Sequence, residues 1–478
     1  MNKKIFGIII FLLSAVMNLY PQVWAEITHF DDPGYEGLGN AVAIDGNIAI
    51  AGASRYNGFQ GCAYVMEYNS SDTTWQKVAR LTASDSIDRF GFSVDISGDY
   101  IVVGAPFDDD DGEESGSAYV FEKPATGWAD MTETAKLKPF DGNALNGFGV
   151  DVAIHGETIL IGAPGKRESV NYPGYAYLYE KPASGWENIT GGTKLEDPDG
   201  DPEDFFGTSV AVSDEAFAIG AVRADTTGTV HVFTHPVDTW VHTSKLSPTH
   251  KQVIPGLAFG TDIDIQDDVI VTGAPGAGWL KGRAYVFEKP SGGWVDMTQT
   301  AVLTASDRTD LDKFGVSVNI YNDTILIGSS RNDAPKAVYL YKKPATGWEN
   351  STEMVQILAP ENSDNFGYQV GLDNGNLMIG NDVHFYKFLT FNPVHVTAHP
   401  DDSIRACLNS QVNFSITASN ARAYQWQVSN DNGDTYTNIT NDTIYSSATT
   451  STLEINVYQE LEQHVYRCIA SNPQYADT

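Results

Sequence analysis

The chain has 478 residues, 42% of them hydrophobic, with 29 Lys+Arg against 62 Asp+Glu and a formal net charge of -33. That length and apolar content leave room for two or more domains with real cores and exclude a disordered chain. The charge repels nucleic acid and anionic membrane surfaces at long range, which argues against both as partners.

At the N-terminus, Lys3 and Lys4 precede an apolar run over residues 5–16. This has the shape of a secretory signal and is short for a membrane span. Residues 1–25 are therefore expected to be a cleaved signal peptide, with the cut after Ala25 or nearer Tyr20. No later stretch reaches transmembrane length, so the expected location is secreted or on the cell surface. The 3 cysteines of such a chain allow at most one internal disulfide.

Residues 90–106, F-G-F-S-V-D-I-S-G-D-Y-I-V-V-G-A-P, read as an alternating strand, a Gly98-Asp99 turn and a returning strand. The pattern occurs seven times, with its first glycine at Gly39, Gly91, Gly149, Gly207, Gly260, Gly315 and Gly367, at intervals of 52 to 58 residues. A third strand recurs as A-Y-V-F and its variants. A fourth is marked by Trp75, Trp128, Trp186, Trp240, Trp294 and Trp348, often within K-P-x-x-G-W. Short strands at that period predict a seven-bladed β-propeller over residues 26–390. The seventh repeat lacks its fourth strand, and residues 24–30 are expected to supply it and close the ring.

The paired F-G and G-A-P signatures resemble the FG-GAP repeats of integrin α-subunit propellers and their bacterial relatives. The resemblance implies adhesion or ligand binding. Integrin-type repeats often carry a D-x-N-G-D-G calcium loop between these two strands. Here that link is only S-G-D, H-G-E, S-D-E, Q-D-D or Y-N-D, so calcium at that position is not carried over.

After a linker at residues 391–400, alternating stretches at 412–416, 424–428 and 453–457, followed by 466–470, predict a β-sandwich over residues 401–478. Trp426, and Tyr466 two residues before Cys468, resemble strands C and F of an immunoglobulin-like domain. Phe414 stands at the usual inward cysteine position, and a Cys407–Cys468 bridge is expected, leaving Cys62 single. The whole chain is thus expected to be all-β, a propeller followed by a sandwich. With no closing strand visible after Cys468, the sandwich reads as cut short and the chain as a fragment of a longer exported protein.

In a four-stranded meander, the loop entering the first strand and the loop joining strands two and three share one end of the ring. The entering loops hold Asp85, Asp88, Asp141, Asp197, Asp199, Asp201, Glu203, Asp204, Asp307, Asp310, Asp312, Glu361 and Asp364. The longest joining loop holds Asp108, Asp109, Asp110, Asp111, Glu113 and Glu114. This predicts an acidic ligand-binding face, with the K-P turns on the opposite end. Clustered carboxylates on glycine turns suit Ca²⁺, which takes six to eight oxygens. Candidate calcium ligands are Asp85, Asp88, Asp197, Asp199, Asp201 and Asp204, with a solvated acidic rim as the alternative. His231 and His235 read as strand residues, and no H-E-x-x-H, G-x-S-x-G or P-loop occurs. The expected function is non-enzymatic recognition of an extracellular protein or glycan. The alternatives are the non-catalytic region of a longer secreted hydrolase, or a catalytic propeller acting on polysaccharide.

Overall fold

A computed structural model of the chain describes residues 22–32, 36–85, 89–165, 172–236, 239–249, 259–307, 309–330, 336–360, 366–390, 395–398, 409–431, 435–457, 464–471 and 476–477. Most of the expected signal peptide, Asp88, Glu361, Asp364 and Cys407 lie outside them. Contacts divide the chain into one unit at Glu26–Lys387 and a second that holds Phe388–Thr478. No helix among the described residues is long and apolar enough to cross a membrane.

The described residues of the first unit form seven antiparallel sheets. Sheet 2 is representative, with strands Ser93–Ser97, Tyr100–Ala105, Ser117–Glu122 and Ala135–Pro139 in that order. Its second strand is buried along nearly its whole length, as expected of a continuous apolar run covered on both faces. The other sheets begin at Leu38–Asp45, Val152–His155, Phe206–Val212, Ile263–Gln266, Val318–Tyr321 and Val370–Asp373. Each first strand packs against the next, and Val370–Asp373 returns to Leu38–Asp45. In the last sheet the outer position is taken by Gln22–Phe30, beside Val383–Thr390. This strand runs across the expected cleavage point.

Two contacts repeat between sheets. The first joins the glycines of the paired signatures. A Cβ on Gly104 would overlap the Gly149 carbonyl oxygen of the next sheet, and the same holds for Gly52 with Gly91 and, across the closure, Gly380 with Gly39. The second uses the segment ahead of each fourth strand. Trp128 is buried with Ile48, Ile50, Ala63 and Val65 of sheet 1, while Met131–Thr132 adds a parallel strand to that sheet's outer edge. Two residues after the tryptophan, Asp130 accepts the Arg80 amide at 2.8 Å, as Asn188 does from Lys136 at 2.8 Å and Asn350 from Val302 at 2.7 Å. The edge left open by a four-stranded sheet is thereby capped. Trp75 alone lies inside its fourth strand, Thr74–Thr82. The other five tryptophans precede theirs.

The second unit contains the sheet Thr437–Asn438, Ala423–Ser429, Val465–Ser471, Ala476–Asp477 and the sheet Ser410–Ser415, Thr452–Val457, Tyr445–Ser446. Trp426 is fully buried, lies across from Cys468, and donates its indole N–H to the Thr450 carbonyl at 2.9 Å. Phe414 packs 6.4 Å from it, centroid to centroid. Two expectations are corrected. Cys468 is a free buried thiol, its pKa pushed up to about 11 by burial, not half of a bridge. A short strand, Ala476–Asp477, also follows it.

Replacing Gly104 with Ala drives a methyl group into a backbone carbonyl and is expected to destabilise the first unit by about 2–3 kcal/mol. Gly98→Ala, at φ 57° with no atom within 4 Å, carries only the left-handed backbone penalty of about 1 kcal/mol. Urea denaturation of both variants checks the order.

Candidate functional site

The loop between strands two and three of sheet 2 carries the densest acidic run. Its backbone is held by Gly112 N–H to the Asp109 carbonyl at 3.1 Å and Gly116 N–H to the Asp108 carbonyl at 2.9 Å. Asp108 is buried and accepts the Tyr119 hydroxyl at 3.0 Å. Asp109, Asp110, Asp111 and Glu113 are exposed, and Glu114 is half-buried. Two fourth-strand lysines answer much of this charge. Lys136 Nζ lies 2.7 Å from Asp85, 2.9 Å from Asp108 and 2.5 Å from Asp110, and Lys138 Nζ lies 3.0 Å from Asp111. The Lys136 hydrogen bond holds Asp110 below the usual carboxylate range. Burial alone would lower Lys136, but its three carboxylate partners outweigh that and raise it.

Asp85 belongs to a recurring latch. Its carboxylate receives Tyr119 Oη at 3.3 Å from the third strand and Lys136 from the fourth. Asp141 does the same with Tyr177 at 2.7 Å and Lys194 at 2.6 Å, and Asp307 with Tyr339 at 3.0 Å and Gln356 at 2.8 Å. In sheet 4 the tyrosine is replaced by His231, whose Nε2 lies 3.3 Å from Asp197. Burial, with His242 adding to it, lowers His231 to about 3, so the ring is neutral. Nε2 also lies 2.9 Å from Thr229 Oγ1, and Nδ1 lies 3.1 Å from His242 Nε2.

These latches change the reading of the calcium ligands. Asp85 and Asp197 are engaged by side chains of their own sheets, and Asp197 also accepts the Asp199 amide at 3.0 Å. Asp204 Oδ2 accepts the Asp201 amide at 2.7 Å, and burial raises its pKa, with Asp197 and Asp201 adding to the shift. Among the described residues no group of three or more His, Cys, Asp or Glu converges to hold a metal ion. The described donors therefore do not fit the expected calcium site. The physical reason is that each latch carboxylate already balances a lysine or fills the hydrogen-bonding needs of its own fold.

At the same end as these loops, a cavity of about 490 Å³ opens on the ring axis, walled by the starts of first strands from all seven sheets. Arg55, Arg89, Phe92, Asp151, Asp262 and Tyr368 are among its lining residues. Below the mouth, first-strand side chains stitch each strand to the next. Asp95 accepts the Ile154 amide at 2.7 Å, Asp151 that of Val210 at 2.7 Å and Asp264 that of Ile320 at 2.7 Å. Asn319 accepts the Leu372 amide at 2.8 Å, and across the closure Asp373 accepts that of Gly46 at 2.5 Å. Burial pushes Asp95 and Asp264 up to about 7 and Asp262 up to about 6, and it raises Asp151 well above the usual range. Neighbouring carboxylates add to this, Asp45 beside Asp95 and Asp262 beside Asp151, while the backbone amides pull the other way.

Sequence reasoning missed the axial cavity and Trp279, which is 72% exposed on the loop between strands two and three of sheet 5. This tryptophan is out of phase with the six others of the repeats, and that was the available signal. Its backbone is left-handed, at φ 64°. Leu280 accepts the Lys313 amide at 2.7 Å, just as Phe59 accepts that of Arg89 at 2.6 Å and Glu113 that of Leu145 at 2.7 Å. These three joining loops are thus fastened to the loops that enter the following sheets.

Residues 75–121, 131–179, 190–233 and 297–341 match the family model described as FG-GAP repeat. Each match runs from the outer edge of one sheet to the third strand of the next, so the sequence unit spans a seam between sheets. The chain thus carries FG-GAP repeats, and its all-β, propeller-like architecture agrees with them. No curated protein matches the chain.

Lys136→Met leaves the buried Asp108 without its counter-charge and is expected to destabilise the first unit by about 3 kcal/mol, whereas Asp111→Asn, at the surface, costs below about 1 kcal/mol. Chemical denaturation of the two variants measures both. The channel carboxylates give a pH dependence of definite sign. Their folded pKa values lie above the unfolded value of about 4, so the folded state holds the extra protons and ionisation destabilises it. Stability of the first unit is expected to rise as pH falls from 8 to 5, and Asp95→Asn with Asp264→Asn to flatten that slope. Urea midpoints across this range that are level, or that climb with pH, would contradict it.

Proposed function

We infer that this is an exported, non-enzymatic recognition protein in which a seven-bladed propeller, followed by an immunoglobulin-like sandwich, binds a protein or glycan through its acidic loop end. The observation that carries this reading is the company kept by the exposed acids. Asp109, Asp110, Asp111 and Glu113 stand on a loop end that also presents Phe59, Leu311 and Trp279 to solvent, 46%, 43% and 72% exposed. Loops cross-fastened by backbone hydrogen bonds hold such groups in place before a ligand arrives, which lowers the ordering cost of binding. Aromatic anchors with charged neighbours are the composition of a recognition surface, not of a bare solvated rim.

Several features favour binding over turnover. Asp85, Asp108 and Asp110 converge on one lysine, and so lack the water-activating or nucleophilic freedom of a glycosidase pair. Export agrees with the N-terminal charge pattern. Removing residues 1–25 would still leave Glu26 with His384 at 2.6 Å and Thr28 Oγ1 accepting the Trp75 amide at 2.9 Å, so closure of the ring survives cleavage. The sandwich reading rests on Trp426 buried opposite Cys468 between short antiparallel strands.

The test is to replace Asp109, Asp110 and Asp111 with Asn and Glu113 with Gln together, and separately Trp279 with Ala. Binding is then measured to immobilised extracellular-matrix proteins and to a printed glycan array. At least a tenfold loss is expected for the quadruple variant, with circular dichroism showing that it stays folded at the assay temperature. Binding equal to that of the unaltered chain would reject this face.

A further inference from the structure

We propose that the axial cavity at the loop end is a receptor for a carboxylate-bearing sugar, gripped by Arg55 and Arg89; this rests on the recognition reading above and names a ligand class for it.

The first argument is charge. In a chain of net charge -33, basic side chains are in demand, and many stand against a carboxylate: Lys194 on Asp141, Lys245 on Asp225, Lys281 on Asp310, Arg80 on Asp130 and Arg223 on Glu203. Arg55 and Arg89 make no ion pair with a described residue, and both line the same cavity. Arg89 is held by other means. Its guanidinium lies 4.5 Å from the Phe107 ring centroid and 5.2 Å from that of Phe59, and its backbone is left-handed at φ 60°. Stacking on ring faces fixes the plane of a guanidinium and leaves its edge N–H donors available. Such a fork matches a carboxylate in the bidentate manner.

The second argument concerns the acids in the same cavity. Asp151 and Asp262 turn their carboxylates to the Val210 and Val318 amides of the following strands, at 2.7 and 2.6 Å. They are part of the wall, and the arginines are not spent on them. The third argument is the rest of the lining. Tyr368, 43% exposed, and Phe92 offer ring faces, while Gln369 offers a neutral amide and Thr208, whose hydroxyl proton goes to the Phe205 carbonyl, an acceptor oxygen. Rings for the apolar face of a pyranose and amides or hydroxyls for its hydroxyls are what a sugar requires. An acidic peptide side chain would use the arginines alone. The volume of about 490 Å³ falls within the usual range for a small-ligand pocket, about 300–1,000 Å³.

The experiment uses the full chain on an array of uronate-ended and sialate-ended oligosaccharides, with their methyl esters, neutral counterparts and sulfated analogues, alongside a glutamate-rich peptide in solution. Binding confined to the carboxylated sugars is expected, at least tenfold weaker for the esters. Arg55→Gln, at an exposed side chain, should lower it at least tenfold without changing the melting temperature. Arg89→Lys, which keeps the charge and removes the fork, should also weaken it. Equal binding of acids and esters, no binding of any carboxylated sugar, preference for the sulfated sugars or the peptide, or indifference to both substitutions would overturn the proposal. If the quadruple acidic-loop variant loses matrix or glycan binding while Arg55→Gln binds as the unaltered chain does, the cavity proposal falls and the loop-face reading stands. If the unaltered chain binds nothing on either surface, both fall.

Discussion

Each seam between sheets in the first unit turns on the approach of one peptide carbonyl to one glycine. The carbonyl belongs to the glycine of the F-G pair, itself held at φ between 80° and 90°, and it rests where any side chain on the G-A-P glycine of the preceding sheet would have to sit. Such a contact has almost no freedom. It sets the spacing and angle between neighbouring sheets, and by repetition it sets the curvature that brings Gly380 back to Gly39. The inner aspartates and the outer tryptophans act on the same seams from the axis and from the rim. Channel, latches and loop end all inherit their positions from these glycines.

Much of this architecture was legible from residues alone. Seven in-phase glycines and the alternation after each were enough to place the strands, and the missing fourth strand of the last repeat pointed to Gln22–Phe30. What the pattern could not convey was why the letters recur. The glycines of one F-G…G-A-P pair do not meet each other; each meets a glycine of the adjoining sheet. Asp130 and Asn188 look like turn residues after a tryptophan, and their role as caps on a neighbour's edge lies 50 and 52 residues away. Asp85 and Lys136 are 51 residues apart, so a search for local metal-ligand spacing saw the acid without its base. The Cys407–Cys468 bridge is an expectation that follows a resemblance already imperfect at Phe414, and the free thiol of Cys468 is a departure that spacing does not reveal.

Phase also separates the side chains that the frame consumes from those that it does not use. Side chains that recur at the repeat period, including Tyr119, Tyr177 and Tyr339 and the aspartates they hold, are consumed in holding sheets and loops together. Those that occur once, such as Trp279 and the exposed acids Asp109 and Glu113, lie on loops whose backbone is fastened to a loop of the following sheet. A rigid frame built by repetition can carry unrepeated groups at little structural risk.

The strand that completes the last sheet has a bearing on the order of events during synthesis. Glu26 and His384 are 358 residues apart, and the seam between the last sheet and the first, with Trp75 stacked 4.3 Å from Phe385, cannot form until nearly the whole first unit has been made. Sheets 2 to 6 can assemble as the chain emerges, each on the one before, but the first and last sheets must wait with an open edge. Loop closure over such a span is entropically slow, so the final joining is expected to set the folding time and, once made, to act as the clasp that must open before the ring can come apart.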